Sequence, residues 1–309
     1  MATSVRFGDG KGAIQTMIAE GKHPRLQRSA LPYLFASVPA LALGALVMQA
    51  SDVPASVWGQ NVAAWLAGAL LCLGFRRART SLSLAVWAEL AALLTLGALV
   101  ATLLAPGMDG VHRWVRLGPA RLHIAALLLP LLLLALERLA RVRGWWVTSL
   151  LAMGVGFVLL LQPDASQATA FAAASGILLL PEVRRSAPRL IALLSLPVIG
   201  GLSWLRRDPL APVPHVEEIV ELAGSLGTGW ALAAIASLLL LPLPFFLAGR
   251  GVGGRTGLAL GVYVSITFLA AFLGNFPVPV MGYGISPILG YLLGLGAFLG
   301  PRQYSGPVP

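Results

Sequence analysis

"LSLAVWAELAALLTLGALVATLLA", residues 82–105, holds one charged side chain, Glu89, in twenty-four positions. Wound as an α-helix it would be about 36 Å long, enough to cross a hydrocarbon core about 30 Å thick. Comparable apolar runs fall at 31–50, 58–75, 122–136, 145–161, 165–181, 188–205, 219–248, 256–274 and 284–300. No polar block between them is long enough for a soluble domain. The pattern predicts an all-α, polytopic integral membrane protein with about ten transmembrane helices. The eighth run is long and contains "PLPFF", so a kink or a break is expected near Pro242.

Composition agrees with that fold class. Apolar residues make up 57% of the 309 positions and charged ones 11%, against roughly 25% charged in soluble domains; the mean hydropathy is +0.82. The alternating pattern of an outer-membrane barrel is absent. Cys72 is the single cysteine, which excludes an intramolecular disulfide. Arg6, Lys11, Lys22, Arg25 and Arg28 precede the first apolar run, too long a polar lead for a cleaved signal peptide. Residues 1–30 therefore read as a cytoplasmic segment, 31–300 as the transmembrane domain and 301–309 as a cytoplasmic tail.

The net charge of +10 does not point to nucleic acid, because no basic–aromatic interleaving accompanies it. It follows the bias of basic residues toward cytoplasmic loops. With both termini inside, seventeen of the 22 Lys and Arg residues fall on the inner side. The remaining five, Arg113, Arg116, Arg121, Arg206 and Arg207, crowd into two outer loops. Arginine there opposes the topological signal, and a phosphate or pyrophosphate suits its planar fork.

Four stretches on that outer side stand out. "GVHRWVRLGPARL" (110–122) is a turn-rich loop holding Arg113, Trp114 and Arg116. "LLQPDASQA" (160–168) ends one span at Gln162-Pro163 and places Asp164 as N-cap of the next. "DPLAPVPHVEEI" (208–219) is stiffened by Pro209, Pro212 and Pro214, which hold Asp208 at a fixed spot beside Arg206 and Arg207. A positioned carboxylate of this kind can take a proton from an alcohol or bind a divalent cation. "PVPVMGYGISPILGYLLGLG" (277–296) enters the last span through Tyr283 and Ser286 and carries the close-packing spacings Gly290/Gly294 and Gly296/Gly300. Glu89, an acid inside a span, is a functional candidate by position alone. There is no Walker loop, no zinc-like His or Cys spacing and no Gly-x-Ser-x-Gly elbow.

In order, these stretches resemble the SEDS family (shape, elongation, division and sporulation; FtsW/RodA-like proteins). The first is similar to its "G-x-x-R-W-x-x-L-G-x-x-x-L" loop and the second to "Q-P-D-x-G-T". The third resembles the outer-loop "D-P" run together with "P-x-x-H-T-D-F", and the fourth resembles "P-x-P-F-x-S-Y-G-G-S". The resemblance covers roughly residues 100–300. It implies a peptidoglycan glycosyltransferase of the bacterial cytoplasmic membrane that polymerises lipid II, a lipid-linked disaccharide-peptide, on the outer face beside a class B penicillin-binding protein. It implies Asp208 as the catalytic residue, and Arg113, Trp114, Arg116, Gln162, Asp164, Arg206, Arg207, His215, Glu217, Tyr283 and Ser286 as substrate-binding residues. A divalent cation would be an optional aid.

The chain departs from the family in places. "HIAA" (123–126) lacks the family glutamate, only six residues separate Asp208 from His215, and Val280, Gly282 and Ile285 replace Phe, Ser and Gly. The shortened loop leaves open a non-catalytic scaffold of a cell-wall synthesis complex, or a flippase or transferase acting on another polyprenyl-pyrophosphate-linked sugar.

Overall fold

The computed structural model describes residues 31–77, 83–118, 120–183, 186–206, 208–249 and 254–300. The two terminal segments, Arg207 and most of the "GRGVGGR" turn lie outside them. The chain is helical nearly throughout: α1 (Leu31–Phe35), α2 (Val38–Ala50), α3 (Ala55–Arg77), α4 (Leu84–Leu104), α5 (Ile124–Val142), α6 (Trp145–Leu161), α7 (Ala165–Leu179) and α8 (Ala187–Ser203). After these come α9 (Ile219–Leu226), α10 (Thr228–Leu239), α11 (Leu243–Ala248), α12 (Gly254–Ala271) and α13 (Ile285–Leu299). Five stretches are long and apolar enough to cross a membrane: Leu31–Ala50, Ala55–Phe75, Ala85–Leu104, Thr228–Ala248 and Gly254–Ala271. The shorter apolar helices Trp145–Leu161, Ala187–Ser203 and Ile285–Leu299 accompany them. This is the polytopic all-α architecture the apolar runs predict.

The helices are apolar on both faces, as a lipid solvent requires. Leu104 is 84% exposed and Leu70 72%, while Leu99 and Cys72 are fully buried. Packing inside the bundle depends on small residues. A Cβ on Gly290 would stand 2.0 Å from the Ala126 carbonyl oxygen of α5, and one on Gly296 would stand 2.6 Å from Cα of Cys72 in α3. The spacing at 290–296 therefore lets the α13 backbone lie directly on two neighbours. Helix α7 forms the centre. Ala168, Ala170, Phe171, Ala174 and Ser175 are all buried, and it packs between α8 and α12.

Three expectations are corrected in detail. The fourth span does not begin at residue 122. Residues Trp114–Leu117 (β1) and Ala120–His123 (β2) form an antiparallel hairpin, and α5 starts behind it with His123 as cap. The eighth run breaks twice. The expected interruption lies at Leu240–Pro242, and a second falls at Gly227, whose φ of +138° favours glycine. Glu89, a functional candidate by position alone, has a structural partner: its Oε1 pairs with Nε of Arg143 at 2.7 Å. It ties α4 to the α5–α6 turn.

Candidate functional site

The hairpin, the turn between α6 and α7 and the loop 206–218 meet at one end of the bundle, and Arg113 joins all three. Its Nη1 lies 2.7 Å from Oδ2 of Asp208. Its Nε donates to the Gln162 carbonyl at 3.4 Å, and Nη2 donates to the Pro163 carbonyl. Its guanidinium also stands 5.7 Å from the centre of the Phe276 ring. Arg113 is 2% exposed, so this cation is held in one orientation from three sides. Asp208 is fixed as firmly, since its Oδ1 accepts the Leu210 N–H at 3.0 Å. The proline-rich loop thus does hold the carboxylate in place, but its ionic partner is Arg113. Arg206, expected beside Asp208, instead donates to the Leu160 carbonyl at 3.3 Å and stays exposed. Arg207 lies outside the described residues.

Beneath this pair is a buried His123–Asp164 contact. Asp164 caps α7 as the sequence predicts, its Oδ1 accepting the Gln167 N–H at 3.2 Å. His123 Nδ1 accepts the Ala126 N–H at 3.2 Å, which places the ring proton of the neutral form on Nε2. That nitrogen stands 3.2 Å from Asp164 Oδ2, off the axis of a good hydrogen bond, so Oδ2 is touched but not satisfied. Burial acts to raise the pKa of Asp164. The Arg113 charge, His123 and the Gln167 amide outweigh it and hold the carboxyl below its ordinary value. A cavity of about 40 Å³ lined by His123, Asp164, Gln167 and Tyr263 lies there. It has room for a water molecule but not for a sugar ring.

The other predicted residues divide by environment. Trp114 packs edge-on against His123 at 5.9 Å, and Arg116 is exposed on the hairpin. The Gln162 side chain turns away from Arg113, donating to Leu99 O at 3.1 Å and to Thr102 Oγ1; only its carbonyl serves the site. Ser286 Oγ is buried and accepts the His123 N–H at 2.9 Å, which fixes the base of the hairpin. His215 and Tyr283 face each other at 6.1 Å, and Tyr283 donates to Gln60 Oε1 at 3.1 Å. Glu217 Oε2 accepts the Val213 N–H at 2.8 Å. Burial, with Asp208 nearby, raises the Glu217 pKa, and burial lowers that of His215.

The trimmed loop docks its backbone on the 278–283 segment. Val278 donates to the Val216 carbonyl at 3.1 Å and Tyr283 to the His215 carbonyl at 2.8 Å. A Cβ on Gly282 would stand 2.3 Å from the Val216 oxygen, so the family's serine has no room here. Asn61 pins the same segment from α3, donating to Gly282 O and accepting the Gly284 N–H, both at 3.0 Å. Sequence reading missed His123, Gln167 and Asn61. His123, the last residue of β2 ahead of α5, carried a signal; Asn61, inside an apolar run, carried only its polarity.

A divalent cation finds no ready cage. Among the described residues no three His, Cys, Asp or Glu side chains converge, and both oxygens of Asp208 are already engaged.

An apolar groove of about 520 Å³ runs between α7 and α8, lined by Ala172, Ala173, Gly176, Leu193, Pro197 and Trp204, among others. Trp204 closes one end, donating to Thr169 Oγ1 at 2.9 Å and packing edge-on against Phe276 at 5.5 Å. Phe276 in turn supports Arg113. Two aromatic rings in series, Trp204 and Phe276, thus stand between the closed end of the groove and Arg113.

No protein-family model and no curated protein matches the sequence. Solved structures do match the fold. The rod shape determining protein RodA of Thermus thermophilus aligns with a TM-score of 0.65 at 21% identity, over 89% of this chain and 97% of that one. An aspartate-to-alanine mutant of the same protein gives 0.64 at 21%, over 87% and 95%. A chain from a peptidoglycan synthase complex, described as coordinating polymerization and crosslinking, gives 0.64 at 22%, over 87% and 96%. The chain thus has a RodA-like fold along nearly its whole described length.

Proposed function

We propose that this RodA-like fold is a SEDS-type glycosyltransferase of the bacterial cytoplasmic membrane, polymerising a lipid-linked saccharide of the lipid II class into peptidoglycan in elongation, division or sporulation. One observation carries the reading: the apolar groove between α7 and α8 lies one aromatic pair, Trp204 and Phe276, away from Arg113 and its partner Asp208. A substrate with a long polyprenyl tail, an anionic diphosphate and a sugar has that order of chemistry. In the topology inferred here the chain crosses ten times, both termini are cytoplasmic, and the site faces outward.

In this mechanism the acceptor sugar's 4-hydroxyl approaches Asp208, which takes its proton as the new glycosidic bond forms. The bond from the donor's anomeric carbon to its phosphate oxygen breaks, and the polyprenyl diphosphate leaves with those electrons. Arg113, oriented by the 162–163 carbonyls, holds Asp208 in place for that transfer. Exposed Arg206 lies against the same turn and is the donor free to face the developing charge. A class B penicillin-binding protein is the proposed partner, which would cross-link the strands; the similar chain from a synthase complex supports it.

The test is polymerisation of labelled lipid II by purified protein, with and without a divalent cation and the partner. Wild type should make chains. Asp208→Asn, which keeps the shape and one of the two acceptor oxygens, should make none while remaining folded. An active Asp208→Asn would refute the assignment of the base. Inactive wild type under every condition would favour the scaffold.

A further inference from the structure

Two arginines face each other on the hairpin, and among the described residues no acidic side chain pairs with either. In the β1–β2 register Arg116 is directly opposite Arg121, and Trp114 is opposite His123. Residues two apart on a strand share a face, so these four lie on one side of the ribbon. Ile124 donates to the Arg113 carbonyl, which makes 113/124 a hydrogen-bonded position. By alternation 114/123 and 116/121 are the closer, non-hydrogen-bonded pairs, with Cα atoms about 4.5 Å apart.

Like charges in that position destabilise a sheet. Among the described residues, the carboxylates in ion pairs are taken by Arg113, His123, Arg141 and Arg143, and none reaches Arg116 or Arg121. Both are exposed. Arg121 Nη1 contacts Met108 Sδ at 3.0 Å, which steadies the guanidinium without neutralising it. Two guanidinium forks of uncompensated positive charge on one face, that of Arg121 steadied by Met108, form a clamp for an oxyanion. The ring of Trp114 continues that face as a flat platform of the kind a sugar stacks on.

Arg113 is not part of this clamp. It lies on the opposite side of the register and about 10 Å along the ribbon from Arg116, and its donors are spent on Asp208 and the 162–163 turn. We propose that Arg116 and Arg121 bind a phosphate group at a second anion site, distinct from the Arg113–Asp208 centre. Two carriers share that chemistry: the diphosphate of the lipid-linked substrate, and the headgroup phosphate of a surrounding phospholipid. Only the first carrier depends on the proposed reaction.

The test is equilibrium binding of inorganic pyrophosphate, followed calorimetrically with the protein in phosphatidylcholine nanodiscs. Turnover is not involved, so this result and the polymerisation result can fail separately. Wild type should bind, more weakly as salt rises. The double variant Arg116→Gln/Arg121→Gln should lose about tenfold or more in affinity, and Arg116→Lys/Arg121→Lys should keep part of it. The Gln variant should melt at the same temperature as wild type or higher, because a repulsion has been removed; a purely structural pair would lower it. Repeating the titration in phosphatidylglycerol nanodiscs separates the carriers. Competition down to the variant's affinity assigns the clamp to a headgroup phosphate, and undiminished binding assigns it to a substrate phosphate. Absence of binding by wild type, or equal binding by wild type and the Gln variant, overturns the site.

Discussion

Removing the Arg113–Asp208 pair in halves and then as a whole separates its structural work from its chemical work. Asp208→Leu leaves a cation that is 2% exposed and cannot swing into water, because the Gln162 and Pro163 carbonyls and Phe276 hold it. Breaking one side of a buried ion pair costs about 3–5 kcal/mol. Retained bonds to the two carbonyls place this variant near 3 kcal/mol. Arg113→Met strands the carboxylate and also leaves two carbonyls without donors, at about 1–3 kcal/mol for each buried one. Partial access of Asp208 to water offsets some of that, so a similar total is expected. The double variant removes both charges but still leaves the Gln162 and Pro163 carbonyls without their donor, so it should lose about 3 kcal/mol, no more than either single variant. The coupling energy is then about 3 kcal/mol, roughly a 150-fold effect on the unfolding equilibrium. Equilibrium denaturation of the four proteins in one mild detergent measures it. The double variant should be about as stable as either single one, yet make no glycan. Losses that simply add, with coupling below about 0.5 kcal/mol, would refute the pair as a buried and mutually dependent unit.

Two further outcomes follow from the docked loop. Gly282→Ser puts a Cβ where the Val216 carbonyl now sits, so the 215–218 turn must lift; a loss of about 1–3 kcal/mol and faster proteolysis of residues 206–218 are expected, and wild-type protection would contradict the packing. Glu217 has a pKa raised above its ordinary 4.5, chiefly by burial. Its contribution to stability is thus fully present below the unfolded value and is lost as pH rises through the raised folded one. Melting temperature should fall across that window in wild type relative to Glu217→Gln, and parallel curves for the two would show that the burial has no such effect.

Much of the architecture was readable because lipid imposes a simple rule. A run such as 82–105 has few alternatives to spanning, and Pro242 breaks a helix wherever it lies. The site was readable only as a set of unusual outer-side residues. Arg113 and Asp208 were both singled out, but nothing in a linear pattern pairs them; proximity made Arg206 and Arg207 look like the natural partners. The hairpin was partly visible in "WVRLGPARLH", with two short strands around Gly118-Pro119, but the long apolar stretch that follows absorbed its last residues into a helix. Nothing in the sequence pairs Glu89 with Arg143, which lies beyond the next helix. Gly282 looked like a lost serine until the Val216 carbonyl was found in the space a side chain would need.

Arg113 also dictates an order of assembly during synthesis. Its guanidinium leaves the ribosome with the hairpin, gains the carbonyls of Gln162 and Pro163 only once α6 has been made, and gains Asp208 only after α8 is in place. Each step supplies a ligand to a group that an apolar setting will not accept bare. A chain halted before residue 208 therefore lacks the carboxylate that pairs with this guanidinium, and a buried positive charge is left unmatched.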